Sequence, residues 1–202
     1  PYGKMVRLLI NSENTGVYGG GGMYLTDSSN PTLTHVSING NIGNGMRLSY
    51  SNPTLTNVTI TGNTGGNHGG GMNLVYSNPT LTNVSIVNNT ATEGGGMRLF
   101  NSNPTLTNVS IVNNTVTEGG GMYLYNSTPT LTNSIIWNNS PESIDILSDE
   151  EAIITYSDIE GGWEGEGNID IDPLFTDPEN GDYTLMEGSP CIDSGTADID
   201  GD

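Results

Sequence analysis

The chain has 202 residues, 33% of them hydrophobic, with 29 glycines and a formal net charge of −19. That charge argues against nucleic acid and anionic membranes as partners, and the low apolar content argues against an ordinary globular core. Composition of this kind is ordered only if its few apolar residues recur with strict periodicity, and here they do.

The charge is uneven. Four acidic residues (Glu13, Asp27, Glu93, Glu118) precede residue 141 and nineteen follow it, while all four basic residues, Lys4, Arg7, Arg47 and Arg98, lie in the first half. Residues 1–140 read as a nearly neutral repeat body, and 141–202 as terminal coils with an acidic cap of the same domain. The single cysteine, Cys191, permits no internal disulfide. No signal peptide or membrane span is readable, and the abrupt start at Pro1-Tyr2-Gly3 reads as a module cut from a longer protein.

Met23, Met46, Met72, Met97 and Met122 mark five copies of one motif, spaced 23, 26, 25 and 25 residues. Pro31, Pro53, Pro79, Pro104 and Pro129 mark the same copies, spaced 22, 26, 25 and 25. Each copy predicts three short strands. In Met97-Arg98-Leu99-Phe100, Met97 and Leu99 face one way and Arg98 and Phe100 the other. In Thr105-Leu106-Thr107 the leucine faces in, and in Val109-Ser110-Ile111 the two aliphatics do. Asn108 marks the bend between the second and third strands. Its equivalents Asn57, Asn83 and Asn133 suggest a ladder of side-chain amides, with His35 as a structural replacement. Pro104 and the Gly94-Gly95-Gly96 run supply corners. This describes an all-β parallel β-helix of about 25 residues per coil, right-handed by the general rule for parallel crossovers. A leucine-rich repeat is the structural rival, and its denser leucine pattern is missing. After residue 133 the pattern decays into two or three irregular coils around Ile135, Ile136, Ile144, Ile146, Ile153 and Ile154. A cap follows, with Trp163, Leu174, Phe175, Tyr183 and Leu185 as its small core.

The repeats resemble those of pectate-lyase-like right-handed β-helix proteins of bacteria. Tyr156 to Trp163, GNIDIDPLF (167–175) and GDYTLMEGSPCIDSGT (181–196) are similar to the terminal segment of secreted β-helix proteins that carry a surface-anchoring region. The resemblance implies a secreted or cell-surface bacterial protein, linked in its parent to a catalytic or anchoring domain. It leaves activity open, because lyases, hydrolases and non-catalytic sugar-binding modules share the fold. For a pectate lyase it implies a Ca²⁺ held by several acidic residues and an Arg or Lys base. Arg47 and Arg98 are the mid-body candidates, and no acidic cluster accompanies either in the sequence.

The variable positions carry the functional reading. Four residues before the last three methionines stand His68, Glu93 and Glu118, stacked about 5 Å apart on successive coils. The position after each Met reads Tyr24, Arg47, Asn73, Arg98, Tyr123, and two further on stand Thr26, Ser49, Val75, Phe100, Tyr125, with Tyr50 and Tyr76 beside them. Aromatic rings, carboxylates, Asn and Arg suit a sugar. The expected function is therefore a monomeric, non-catalytic carbohydrate-binding module. Its ligand would be a neutral plant cell-wall polysaccharide of the xylan or β-glucan type, bound through Tyr50, Tyr76, His68, Asn73, Glu93, Arg98, Phe100, Glu118, Tyr123 and Tyr125. A lyase or glycoside hydrolase is the alternative. Glu93 and Glu118 could reach the spacing of a retaining pair, yet equivalent positions on adjacent coils offer nothing to push their pKa values apart. A third reading takes the paired Thr ranks, Thr32/Thr34 through Thr130/Thr132, as an ice-binding lattice, against the plain preference of Thr for solvated strands. Calcium is the expected cofactor, with Asp170, Asp172, Asp177 and Asp182 as ligands and Asp198, Asp200 and Asp202 resembling the start of a calcium loop. Cys191 reads as a small buried residue of the cap.

Overall fold

The computed structural model describes residues 9–11 and 14–195; Lys4, Arg7 and the Asp198–Asp202 run lie outside them. The described chain is an all-β solenoid whose strands pair in parallel, one coil on the next. The Met strands form one sheet, running from Thr15–Thr26 through Ile42–Ser49, Met72–Val75, Met97–Phe100 and Met122–Tyr125 to Ile144–Ile146. The Thr strands form the second sheet and wrap the other side. Register is strict: Met72 pairs with Met97 and Met97 with Met122, while Leu81 pairs with Leu106 and Leu106 with Leu131.

Alternation drives one residue of each pair inward. Met46, Met72, Met97, Met122, Leu48, Leu74, Leu99, Leu124 and, over the middle coils, the columns of Leu55, Val58 and Ile60 are buried, none more than 1% exposed. Each coil adds about five such side chains, and each stabilises by about 1.5–3 kcal/mol. The expected second and third strands prove to be one continuous ladder in three coils, as in Thr105–Val112. The bend at Asn108, in the left-handed conformation at φ 54°, redirects the chain without breaking the pairing.

Several polar ladders hold the corners, among them a buried serine ladder through Ser51, Ser77, Ser102 and Ser127; two involve the asparagines of the bends. The exposed one at the expected bend is real: Asn108 Nδ2 donates to Asn83 Oδ1 at 3.1 Å. The buried one runs elsewhere, through Asn41, Asn63, Asn89, Asn114 and Asn139. Each Oδ1 accepts both the backbone N–H and the side-chain amide of the asparagine one coil earlier. Asn114 Oδ1 takes Asn89 N at 2.9 Å and Asn89 Nδ2 at 3.0 Å. Asn114 Nδ2 in turn reaches the Ile86 carbonyl at 3.0 Å and Asn139 Oδ1 at 3.0 Å. The ladder and the close approach of the next coil together explain the glycine before each Met. A Cβ on Gly96 would meet the Gly121 carbonyl at 2.5 Å, Ile111 Cγ2 at 2.7 Å and Asn114 Nδ2 at 3.1 Å.

The end of the molecule departs from expectation in two ways. The sixth coil is regular, since Ile144–Ile146, Ile153–Thr155 and Asp158–Ile159 each pair in register with the fifth. Nor is the cap a separate core. Trp163 packs against the main interior, and Asn168 offers Oδ1 to Ser157 N at 3.0 Å and Nδ2 to the Ile154 carbonyl at 2.9 Å, which closes the last edge. Phe175, Tyr183 and Leu185 instead belong to an antiparallel hairpin, Phe175–Asp177 with Asp182–Leu185, laid along the side of the solenoid over Val87, Val112 and Trp137. Leu174 is 37% exposed and takes no part in a core.

Replacing Asn114 with Ala should destabilise the fold by about 2–4 kcal/mol, because buried donors on Asn89 lose their acceptor. Asn108→Ala on the exposed ladder should cost less than about 1 kcal/mol. Urea unfolding followed by circular dichroism compares the two, and equal losses would show that the inner ladder has no special weight.

Candidate functional site

The outer face of the Met sheet collects the differences between coils. Its first row reads Tyr24, Arg47, Asn73, Arg98, Tyr123 in direct register, and Asp145 extends it by one coil. Before Met72, Met97 and Met122 the chain passes a left-handed glycine, Gly69, Gly94 or Gly119, that lies against the residue after the Met. A Cβ on Gly119 would meet Tyr123 Cβ at 2.8 Å, and one on Gly69 would meet Asn73 Cβ at 2.8 Å. The corners therefore roof this row. Tyr123 is 6% exposed and Asn73 is 3% exposed, whereas Tyr24 is 48% exposed. Tyr123, expected among the ligand-binding residues, lies beneath that roof. Burial, followed by the charges of Glu93, Glu118 and Asp145, raises the Tyr123 hydroxyl above its ordinary pKa.

His68, Glu93 and Glu118 stack on consecutive coils as expected, linked by parallel bridges. Their environments are not alike. Glu93 Oε2 receives His68 Nδ1 at 2.9 Å and Arg98 Nε at 2.9 Å, and Arg98 is the less exposed of that pair. Arg98 thus has an acidic partner, five residues away across the glycine corner, which the sequence reading missed. Glu118 stands exposed.

A second row holds the rings. Tyr50 stacks on Tyr76 at 5.0 Å, Tyr76 meets Phe100 edge-on at 5.7 Å, and Phe100 stacks on Tyr125 at 5.1 Å. Four coils thus carry one continuous aromatic run, although its members come from two different positions of the repeat. Tyr50 and Tyr76 sit at a corner in the left-handed conformation, at φ 51° and 49°, where the next two coils use Asn101 and Asn126. Bulky residues hold that conformation at a cost of about 1–2 kcal/mol. Stacking covers one face of each ring in the Tyr50–Tyr76 and Phe100–Tyr125 pairs, and the two pairs meet edge to face. Tyr50, Tyr76 and Tyr125 are all exposed.

Among the described residues no group of three or more His, Cys, Asp or Glu is placed to hold an ion. Asp170 Oδ1 accepts from Gly161 N, Asp172 Oδ1 from Leu174 N, Asp177 Oδ2 from Asn180 Nδ2, and Asp182 Oδ1 from Thr184 N and Oγ1. Asp172, Asp177 and Asp182 thus serve their own turns, while Asp170 ties two segments nine residues apart. Nearby, Cys191 Sγ donates to Asp158 Oδ2 at 3.0 Å. Burial, helped by Asp158, pushes the thiol up to about 12, so it stays protonated and unreactive at neutral pH.

A family model described as a right handed beta helix region matches residues 8–169. No curated protein and no solved structure matches the chain.

Burial, with smaller contributions from Asp170 and Asp172, raises the Asp158 carboxyl above its ordinary 3.8. A raised folded-state value means that the folded chain holds this proton more tightly than the unfolded chain. The stability from that proton is present below the ordinary carboxylate value and is lost as pH rises through the folded one. Thermal melts from acid to neutral pH should therefore show Asp158→Asn gaining on the parent protein as pH rises. A constant offset between the two curves would contradict this.

Proposed function

The chain belongs to the right-handed β-helix family, and on that scaffold we propose a non-catalytic carbohydrate-binding module that takes a polysaccharide along the outer face of the Met sheet. The observation that carries the reading is the four-ring run Tyr50–Tyr76–Phe100–Tyr125. It is kept continuous over four coils by switching repeat position, and two of its rings occupy a backbone conformation that aromatic residues enter at a cost. A coil needs no ring there to fold, because Asn101 and Asn126 fill the same corner. An extended ligand crossing the coils would meet the exposed rings and hydroxyls of Tyr50, Tyr76 and Tyr125, and the Glu93–Arg98–His68 group alongside. The net charge of −19 favours a neutral glycan of the xylan or β-glucan type over a polyanion. Glu93 is shared by two nitrogen donors, an arrangement suited to holding hydroxyls in place rather than to giving up a proton.

Affinity electrophoresis against soluble xylans, β-glucans and mannans, run with and without EDTA, tests ligand class and calcium dependence together. Tyr76→Ala and Tyr125→Ala should each weaken binding about threefold to tenfold, the equivalent of about 0.5–1.5 kcal/mol, with unchanged circular dichroism. Parent-like binding by both variants across the panel would overturn the reading. Release of reducing ends or of unsaturated products would move the protein into the enzyme class.

A further inference from the structure

The Met spacing of 23 and then 26 breaks the repeat, and the break has a structural result. Met46 follows the ladder residue Asn41 by five positions, whereas Met72 follows Asn63 by nine, and Met97 and Met122 follow theirs by eight. A short corner therefore lies beside the longest one. The step between them leaves a cavity of about 470 Å³ in the outer face of the second and third coils, within the range of small-ligand sites. Asn44 ties the two corners together, its amide donating to the carbonyls of His68 and Gly69, so the walls are fixed before any ligand arrives.

The lining has a definite chemistry. Arg47, His68, Asn67 and Asn73 face it, with Gly65 and Gly66, and among the described residues no carboxylate lines it. Asn73 is 3% exposed, and its Oδ1 is buried with no hydrogen-bond partner. A buried acceptor left unpaired carries a penalty of about 1–3 kcal/mol, and a ligand that donates to it removes that penalty. A carboxylate or an ionised phosphate brings only acceptors. A sugar ring brings both, with hydroxyl hydrogens for Asn73 Oδ1 and hydroxyl oxygens for the Arg47 guanidinium. We infer that this cavity is a saccharide subsite holding one neutral, hydroxyl-rich sugar unit beside the aromatic run, with Asn73 as its buried acceptor. The inference rests on the proposed glycan binding for its ligand class and on the corner geometry for its position. Tyr50 and Tyr76 follow Arg47 and Asn73 by three residues on the same two coils, so a chain lying on the rings passes within about 10 Å of the cavity.

The test uses nuclear magnetic resonance of the isotope-labelled chain titrated with xylotriose, cellotriose and mannotriose. At least one should shift the Asn73 side-chain amide and the Gly65 and Gly66 amides together and saturably. Asn73→Leu, which removes the acceptor, should bind that trisaccharide about tenfold more weakly without a lower melting temperature. Tyr125→Ala, two coils away, should leave the trisaccharide titration unchanged while weakening polymer binding. If none of the three sugars moves those amides, or if Asn73→Leu folds and binds like the parent, the subsite is refuted, even where the polymer still binds. If the trisaccharide binds here while Tyr76→Ala and Tyr125→Ala leave polymer binding intact, the subsite stands and the aromatic run falls.

Discussion

A coil that closes on itself must turn its backbone out of the ladder at every corner, and each turn leaves an N–H facing the interior with no strand beside it. In this molecule one buried asparagine per coil answers that constraint at one corner, and a buried serine hydroxyl does so at another. The asparagine Oδ1 receives the stranded N–H from the coil before, and its amide continues the chain of bonds. The rest follows from packing around it. The glycine ahead of each Met is small because a backbone carbonyl of the next coil, an Ile methyl and the amide occupy the space a Cβ would need. The glycine corner then folds over the outer face, and how far it reaches decides which residue of the next strand is roofed and which is open.

That chain of causes separates the invariant positions from the variable ones more sharply than the repeat alone does. Tyr24 and Tyr123 share a column, yet one is open and the other covered. Glu93 and Glu118 share another, yet only Glu93 is joined to His68 and Arg98. Equivalence in sequence thus sets where a backbone lies, while the length and content of the adjoining corner set what a side chain there can touch. The rings show the converse, since two unlike positions supply a single run because their side chains converge in space.

The apolar columns were legible because a period of 25 returns Met, Leu, Val and Ile to the same wall, and alternation tells in from out. The inner ladder was not. Asn88 and Asn89 are chemically identical neighbours, and only the left-handed turn at the first makes the second point inward. The doublets at 88–89, 113–114 and 138–139 were the available signal. The cavity has its trace in the 23 and 26 spacings, but a spacing gives the length of a corner and not the space between two of them. The Glu93–Arg98 pair spans a glycine corner, where neither the helical nor the strand period gives a rule. Contacts between distant segments, such as Phe175 with Val87 and Val112, leave no periodic trace at all.

The hairpin at the end has a mechanical meaning. A stack of coils in which each touches only its neighbours is held like a zipper, and its free end frays first. Here the Tyr183 hydroxyl donates to Asn88 Oδ1 at 2.8 Å, across 95 residues of sequence, and Phe175 rests on side chains of the third and fourth coils. The last coils cannot peel away without first lifting a strap fastened well inside the stack. The closing segment thereby turns the C-terminal half of a one-dimensional array into a single cooperative block, with the aromatic run on its other side.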